Sequence, residues 1–439
     1  MFLVGGNLHL RADAAMKLRM KAALQPSSRT QAALLLHTVL QHHRTLDEAM
    51  VERLPEGDGT ETRFIMMLVL TVLRHLGQID ALLAKYIPKP LPEKRATAKQ
   101  ALRLGVVQLL LMNTPAHAAT NETVRVVKES KDAGLIGLVN AVLQKISREM
   151  PPLPAAIHNV PDWLRQRWEQ AYGAPAVATM AEVAAARPPL DLTAPGGQRF
   201  PQGERLDDTI WRLPAEHDPV PKLPGYHEGS FWVQDIAATY PVRMLGEVRG
   251  LTVLDVGAAP GGKSAQLAKA GAHVTALDKS AARMETLKEN MARLQLDVKP
   301  EVGDVLHWQP AIHYDAVLLD APCSATGTWR RHPEVLAVTT LHDITELARQ
   351  QRDMMRRAWG WVKPGGRLLY CVCSLEPEEG EAQAAWFLQH HTDAKLLHAT
   401  IPGAPGQAIT PEGALRTRPD MLAEQGGMDG FFAVLFQKA

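Results

Sequence analysis

The sequence predicts an α/β fold with a doubly wound, mostly parallel sheet, preceded by an all-α helical domain and a small linker subdomain. Three observations carry this reading. From Leu251 the chain reads LTVLDVG, AAPGGK, a helical run from Ser264 and then HVTALD, which is strand, turn, helix and strand. Residues 29–150 are rich in Ala, Leu and Val at amphipathic helical spacing, with Pro and Gly where helices are punctuated. Between these patterns, Pro151, Pro152 and Pro154 stop the last helix, and turn residues crowd residues 188–224. The expected organisation is a tail over residues 1–28, a helical domain over 29–150, a connecting subdomain over 151–228 and the α/β domain over 229–439.

In the helical part, the apolar run FIMMLVLTVL at residues 64–73 lies between Arg63 and Arg74. It is about half the ~20 residues a bilayer span needs, so it predicts a buried helix. Asn121 is placed to cap a later helix, after a turn through Asn113 and Pro115. Residues 1–150 hold 20 Lys and Arg against 13 Asp and Glu, while the whole chain has a net charge of only +1. That asymmetry fits an anionic polymer partner for the first half, and equally a set of solvated helix faces. Hydrophobic residues at 46% and charged residues at 22% exclude a mainly disordered or collagen-like chain. The three cysteines all follow residue 320 and form no CxxC pair, which excludes a disulfide framework and a zinc ribbon. No metal, no membrane, no signal peptide, a monomer and a reducing cytoplasmic setting are expected.

The stretch NTPAHAATNETV followed by GLVNAVL resembles the helical, RNA-binding domain of the NusB transcription antitermination factor, across residues 30–148. The resemblance implies that this domain docks RNA. The residues alone show a positively charged helical bundle, for which a protein-binding module is the alternative.

In the α/β domain, Gly257, Gly261 and Gly262 let the first turn bend sharply and let a ligand approach where a side chain would collide. Asp255 is expected to end the first strand, Asp278 ends the second, Asp304 follows the third and Asp320 ends the fourth. Acids at the carboxyl ends of parallel strands are expected to face the ligand crevice. A nicotinamide site would prefer G-x-G-x-x-G, whereas Ala258, Ala259 and Pro260 follow Gly257 here. A phosphate-binding loop is disfavoured because Asp255 crowds the phosphate position, although GGKS is like its tail. The glycine turn and spaced acids resemble the S-adenosylmethionine site of class I methyltransferases. That resemblance implies Asp278 on the ribose, Asp304 near the adenine amino group, and Gly257, Ala258, Ala259, Pro260, Gly261, Gly262 and Lys263 bordering the methionine end. Asp255, Lys279, Arg283 and Asp320 complete the implied cofactor set.

The fourth strand runs on into DAPCSATGTWRRHPE and the fifth reads GRLLYCVCSLEPEEGE, so Cys323 and Cys373 are expected at one pocket rim. Carbon 5 of cytosine is a poor nucleophile until a thiolate adds to carbon 6. Two thiols beside Asp320 therefore point to covalent methylation at carbon. Alternation along a strand puts Cys371 on the face of Cys373, buried behind it. Arg330, Arg331 and His332 follow this loop and are candidates to grip RNA phosphates. Lys263 is a candidate partner of Asp320, and Gln234 and Asp235 either border the substrate or cap the next helix.

DAPCSATG, YCVCS, GSFWVQD and MDGFFAVLF together resemble the Sun and nucleolar-protein family of RNA (cytosine-5) methyltransferases, over nearly all the chain after residue 30. The resemblance implies small-subunit (16S) ribosomal RNA as substrate, Cys373 as nucleophile, Cys323 as an aid to product release and Asp320 as a hydrogen-bond partner of the base. DNA cytosine-5 methyltransferases instead use the cysteine of a Pro-Cys pair, here Cys323, so the residues alone leave both thiols open. Val372 stands where the family shows Thr. The alternative function is a catalytically inactive methyltransferase-fold protein that binds RNA or a ribosome-assembly partner.

Overall fold

A computed structural model describes residues 26–53, 59–398 and 400–439. The expected tail, residues 1–28, lies outside the described residues except for its last three. The chain divides into two compact units, one ending at His158 and one spanning Asn159–Ala439.

The first unit is helical: α1 (Ser28–His42), α2 (Leu46–Arg53), α3 (Thr60–Arg74), α4 (Leu76–Tyr86), α5 (Ala96–Leu110), α6 (Ala116–Lys128) and α7 (Ile136–Glu149). Ser27 starts α1 by accepting a hydrogen bond from Thr30 N at 3.2 Å. The apolar run forms α3, burying Ile65, Leu68, Val69, Val72 and Leu73 at the spacing of one helical face. Among the described residues no single helix is long and apolar enough to cross a membrane. Helix α5 is buried on nearly every side, from Ala98 to Leu109, with Gln100, Arg103 and Gln108 among its buried residues, and forms the centre against which the others pack. A Cβ on Gly105 would stand 2.6 Å from Leu143, so glycine lets α7 approach there. Buried Asp132 accepts from Ala98 N at 3.0 Å and satisfies a free amide at the start of α5. Asn121 caps nothing: Pro115 precedes α6 and Asn121 sits exposed inside it. The fixed φ of proline suits a helix start, which the Asn rule overlooked.

The second unit opens with α8 (Asp162–Tyr172) and α9 (Ala174–Ala185), then a four-stranded antiparallel sheet. Its strands β1 (Leu190–Thr193), β2 (Glu204–Arg205), β3 (Ile210–Leu213) and β4 (Trp232–Val233) lie in the order β2-β3-β1-β4. Arg212 and Asp191 pair across it through two buried hydrogen bonds of 2.6 and 2.8 Å. Helix α10 (Ile236–Met244) leads into the main sheet: β5 (Thr252–Val256), α11 (Gly262–Lys269), β6 (His273–Asp278), α12 (Ala281–Leu294), β7 (Val298–Val302) and β8 (Tyr314–Asp320). There follow α13 (Val335–Val338), α14 (Leu341–Gly360), β9 (Val362–Val372), α15 (Glu381–His390), β10 (Ala394–Leu397), β11 (Leu415–Thr417) and β12 (Phe431–Lys438).

The order is β10-β12-β9-β8-β5-β6-β7, with β11 paired to β12. Strands β5 to β9 run parallel, and β12 inserts antiparallel between β9 and β10. Both faces are covered, as strand alternation requires. Leu369 and Cys371 of β9 join one core cluster, while Leu368, Tyr370 and Val372 join the other. Because the chain winds outward from β5 in one direction and then from β8 in the other, a crevice opens at the carboxyl ends of these two strands.

Candidate active site

Strands β8 and β9 bring the two thiols together. Their register pairs Asp320 with Cys371, so the residues just past each strand end emerge side by side. Cys323 Sγ and Cys373 Sγ stand 3.4 Å apart. The hydrogen bond with Cys373, then burial, then the charges of Cys373 and Glu379 push the Cys323 thiol well above its usual pKa. Cys371 is fully buried, its Sγ donates to Asp320 Oδ1 at 3.6 Å, and burial pushes its thiol up.

Asp320 is the hinge of the site. Lys263, on the first turn of α11, reaches Asp320 Oδ2 with Nζ at 2.8 Å and also lies 5.1 Å from the Phe431 ring centre. Burial opposes the Lys263 charge, but Asp320, together with the charges of Cys371 and Asp255, more than offsets this and holds its pKa above the usual value. Gly257 (φ +79°) permits the close packing: a Cβ there would stand 2.3 Å from the Asp320 carbonyl oxygen.

A cleft of about 230 Å³ opens beside these groups. Gly257, Asp278, Lys279, Arg283 and Asp304 line one part, and Asp320, Cys323 and Cys373 line the other. Val256, Leu277, Val305 and Met354 give it an apolar bed. Asp278 is held by Ser280 N at 2.9 Å and Ala259 N at 3.3 Å, and Arg283 is 3.6 Å away.

Other expected residues are placed differently. Asp255 faces away from the cleft: it is fully buried, accepts from Ser264 Oγ at 2.6 Å, and burial pushes its pKa up to about 6. It sits one residue before the strand end, and alternation turns it inward. Ala258 and Ala259 pack into a small core with Met284 and Met291, Pro260 O accepts from Asn290 at 3.1 Å, and Gly261 and Gly262 pack on Leu287 and Gln234. These residues shape the turn and do not line the cleft. Residues 257–264 carry the G-x-x-x-x-G-K-S spacing of a phosphate loop in full, beyond the GGKS tail noted in the sequence. Lys263 is nevertheless committed to Asp320 and Ser264 to Asp255, so neither side chain faces a phosphate cradle.

Arg330 cannot grip RNA. It is fully buried and pairs with Asp235 Oδ2 at 2.5 Å and Asp429 Oδ1 at 3.5 Å. Burial and Asp429 push the Asp235 carboxyl up, whereas Arg331 and Arg330 overcome burial to hold Asp429 down. Asp235 also caps α10, accepting from Ala237 N at 2.9 Å, so it takes the capping role and not the substrate one. Gln234 is likewise buried and occupied, by Trp232 Nε1 at 2.7 Å and Gln266 Oε1 at 2.8 Å. Of the expected phosphate-gripping residues, Arg331 keeps 37% of its side chain exposed beside Asp429 and His332 keeps 48%.

Gln350 and Met354 of α14 also line the cleft, and no sequence signal marked them beyond a long amphipathic helix. Among the described residues no cluster of His, Cys, Asp and Glu is arranged to hold a metal.

The sheet order with its antiparallel β12, and the acid-ended strands around one cleft, are those of a class I methyltransferase. The family model for 16S rRNA methyltransferase RsmB/F matches residues 242–437, and that of the NusB family matches residues 26–148. The ribosomal RNA small subunit methyltransferase B of Shewanella oneidensis is 33% identical, covering 94% of this chain and 99% of that protein. The crystal structure of PH0851 superposes with a TM-score of 0.72 at 24% identity, over 94% of this chain and all of that one. NSun6 from Pyrococcus horikoshii with SFG superposes with a TM-score of 0.55 at 19% identity, over 63% of this chain and 98% of that one. The chain belongs to the RsmB/F family of 16S rRNA methyltransferases, with a NusB-family helical domain in front.

Proposed function

We propose that the protein transfers a methyl group from S-adenosylmethionine to carbon 5 of a cytidine in RNA, with 16S ribosomal RNA as the substrate, through a covalent cysteine adduct at carbon 6. The observation that carries this reading is the pair of thiols 3.4 Å apart in the cleft that also holds Asp320. The acids and the glycine turn fit the cofactor: Asp278 and Asp304 face the cleft as hydroxyl and amine acceptors, and a side chain at Gly257 would collide with β8. When bound, S-adenosylmethionine supplies an electrophilic methyl group.

The chain's own residues do the rest. Cys373 Sγ adds to carbon 6, which moves electron density to carbon 5 and makes that carbon nucleophilic. Asp320, held by Lys263, hydrogen-bonds the base and steadies the adduct. After methylation, solvent takes the carbon 5 proton, the electrons of that bond restore the carbon 5–carbon 6 double bond, and the carbon 6–sulfur pair leaves with Cys373, a departure assisted by proton donation from Cys323. Its raised pKa supports this division, because a protonated Cys323 donates where a thiolate would compete. The target cytidine must leave its stack to reach the cleft. Exposed Arg125, Lys128, Lys131, Lys145 and Arg148 of the helical unit are suited to phosphate contacts.

The test incubates wild type, Cys323→Ala and Cys373→Ala with labelled S-adenosylmethionine and unmodified small-subunit ribosomal RNA. The expected result is 5-methylcytidine from wild type, none from Cys373→Ala, and a trapped RNA adduct with Cys323→Ala. Full methyl transfer by Cys373→Ala would overturn the nucleophile assignment, and absence of cofactor binding would overturn the enzyme reading.

A further inference from the structure

Below the two thiols lies a buried polar cage that the reaction scheme does not use. Its centre is Glu379, fully buried, in the loop between β9 and α15. Its carboxylate accepts from Ser324 N at 3.0 Å, from Ser374 Oγ at 2.6 Å, from Gln351 Nε2 at 3.0 Å and from Ser324 Oγ. Ser324 follows Cys323 and Ser374 follows Cys373 directly in the chain. One carboxylate thus ties together the two loops that carry the two thiols.

The surroundings fix Glu379 in turn. Tyr370 OH donates to its backbone carbonyl at 2.6 Å and lies 3.0 Å from Gln351 Oε1, while Gln351 Nε2 also reaches Pro322 O at 2.9 Å. Ser374 Oγ lies 3.1 Å from Ser324 Oγ. A buried carboxylate is costly unless every acceptor position is filled, and here side-chain and backbone donors fill them.

We propose that Glu379 is a positioning residue: by bridging Ser324 and Ser374 it sets the spacing and orientation of the Cys323 and Cys373 thiols. This rests on the methyl-transfer reading only for its catalytic consequence, because the clamp itself concerns thiol geometry. The negative charge of Glu379 also raises the Cys323 pKa, after the hydrogen bond with Cys373, burial and the charge of Cys373.

The experiment uses the full chain and its Glu379→Gln and Glu379→Ala variants. Thiol geometry is read by treatment with diamide, which accepts two electrons and two protons and becomes a hydrazine as Cys323 and Cys373 join in a disulfide. Peptide mass analysis follows that bridge. Glu379→Gln keeps the volume but turns an amide donor towards the serine hydroxyls, and it is expected to keep the wild-type melting temperature within a few degrees. Bridging is expected to slow by about tenfold or more, and kcat to fall by a similar factor with KM for RNA and cofactor within about twofold. The alkylation profile of Cys323 is expected to move to lower pH as the nearby charge is lost. Wild-type bridging and wild-type kcat in both folded variants would overturn the clamp. Slowed bridging in an enzyme that makes no 5-methylcytidine would keep the clamp and overturn the functional reading instead. If both Glu379 variants fail to fold, Ser324→Ala and Ser374→Ala remove one hydroxyl arm each, and unchanged bridging in both would overturn the proposal.

Discussion

Lys263 Nζ stands 2.8 Å from Asp320 Oδ2, with the lysine side chain only 11% exposed and the aspartate 28%. The pair joins the first turn of α11 to the end of β8, the two elements that flank the crevice. Removing the lysine leaves a largely buried carboxylate in the cleft without its cation. Lys263→Met is expected to cost about 1–3 kcal/mol, below the figure for a fully buried pair because Asp320 retains some water. It is also expected to lower single-turnover methyl transfer by about 100-fold, since Asp320 loses its fixed orientation. Urea unfolding and rapid-quench methylation check the two parts separately.

A second prediction concerns Gly257. With φ +79° and a phantom Cβ 2.3 Å from the Asp320 carbonyl, no L side chain fits without moving β8. Gly257→Ala is expected to destabilise the α/β unit by about 1–3 kcal/mol and to abolish measurable S-adenosylmethionine binding by calorimetry. Wild-type binding in this variant would show that the turn does not border the cofactor.

These two contacts also show which parts of the site were legible in the sequence. That Asp278, Asp304, Asp320, Cys323 and Cys373 line one cleft is legible because parallel strands deliver their carboxyl ends to one edge. Arg330 was misread because a basic triplet after a loop looks like a surface charge run. Its partners Asp235 and Asp429 lie 95 and 99 residues away, and nothing local reports such pairing. Asp255 was misjudged by a single position along its strand, which is enough to reverse the side-chain direction. Gln350 and Met354 were missed because helical periodicity marks a buried face without naming what covers it.

A third prediction follows from Asp255. Its folded pKa is about 6, against ~3.9 for an unperturbed Asp, so folding favours the protonated form. The associated stability is fully present below about pH 4 and is lost as pH rises to about 6, by up to about 3 kcal/mol. Asp255→Asn cannot lose a proton. The stability of the variant relative to wild type is therefore expected to rise between pH 4 and 6 and to level off above, in urea titrations at each pH. A flat difference across that range would show that the carboxyl does not titrate with a raised pKa.

The last prediction separates buried from exposed basic residues. Arg330→Met keeps an aliphatic stem but leaves Asp235 and Asp429 buried without their shared cation, a change expected to cost about 3–5 kcal/mol. Because Arg330 is fully buried, the salt dependence of RNA binding should not change in the fraction that stays folded. Replacing exposed Arg125, Lys128 and Lys131 by Ala should do the reverse. Each lost phosphate contact flattens the slope of log affinity against log salt by about 0.7–0.9, while melting moves little because the Arg125–Glu129 pair is solvent-exposed. If the triple variant keeps the full salt slope, the helical unit does not dock the RNA through this face, and the charge excess of residues 1–150 is a solvated surface.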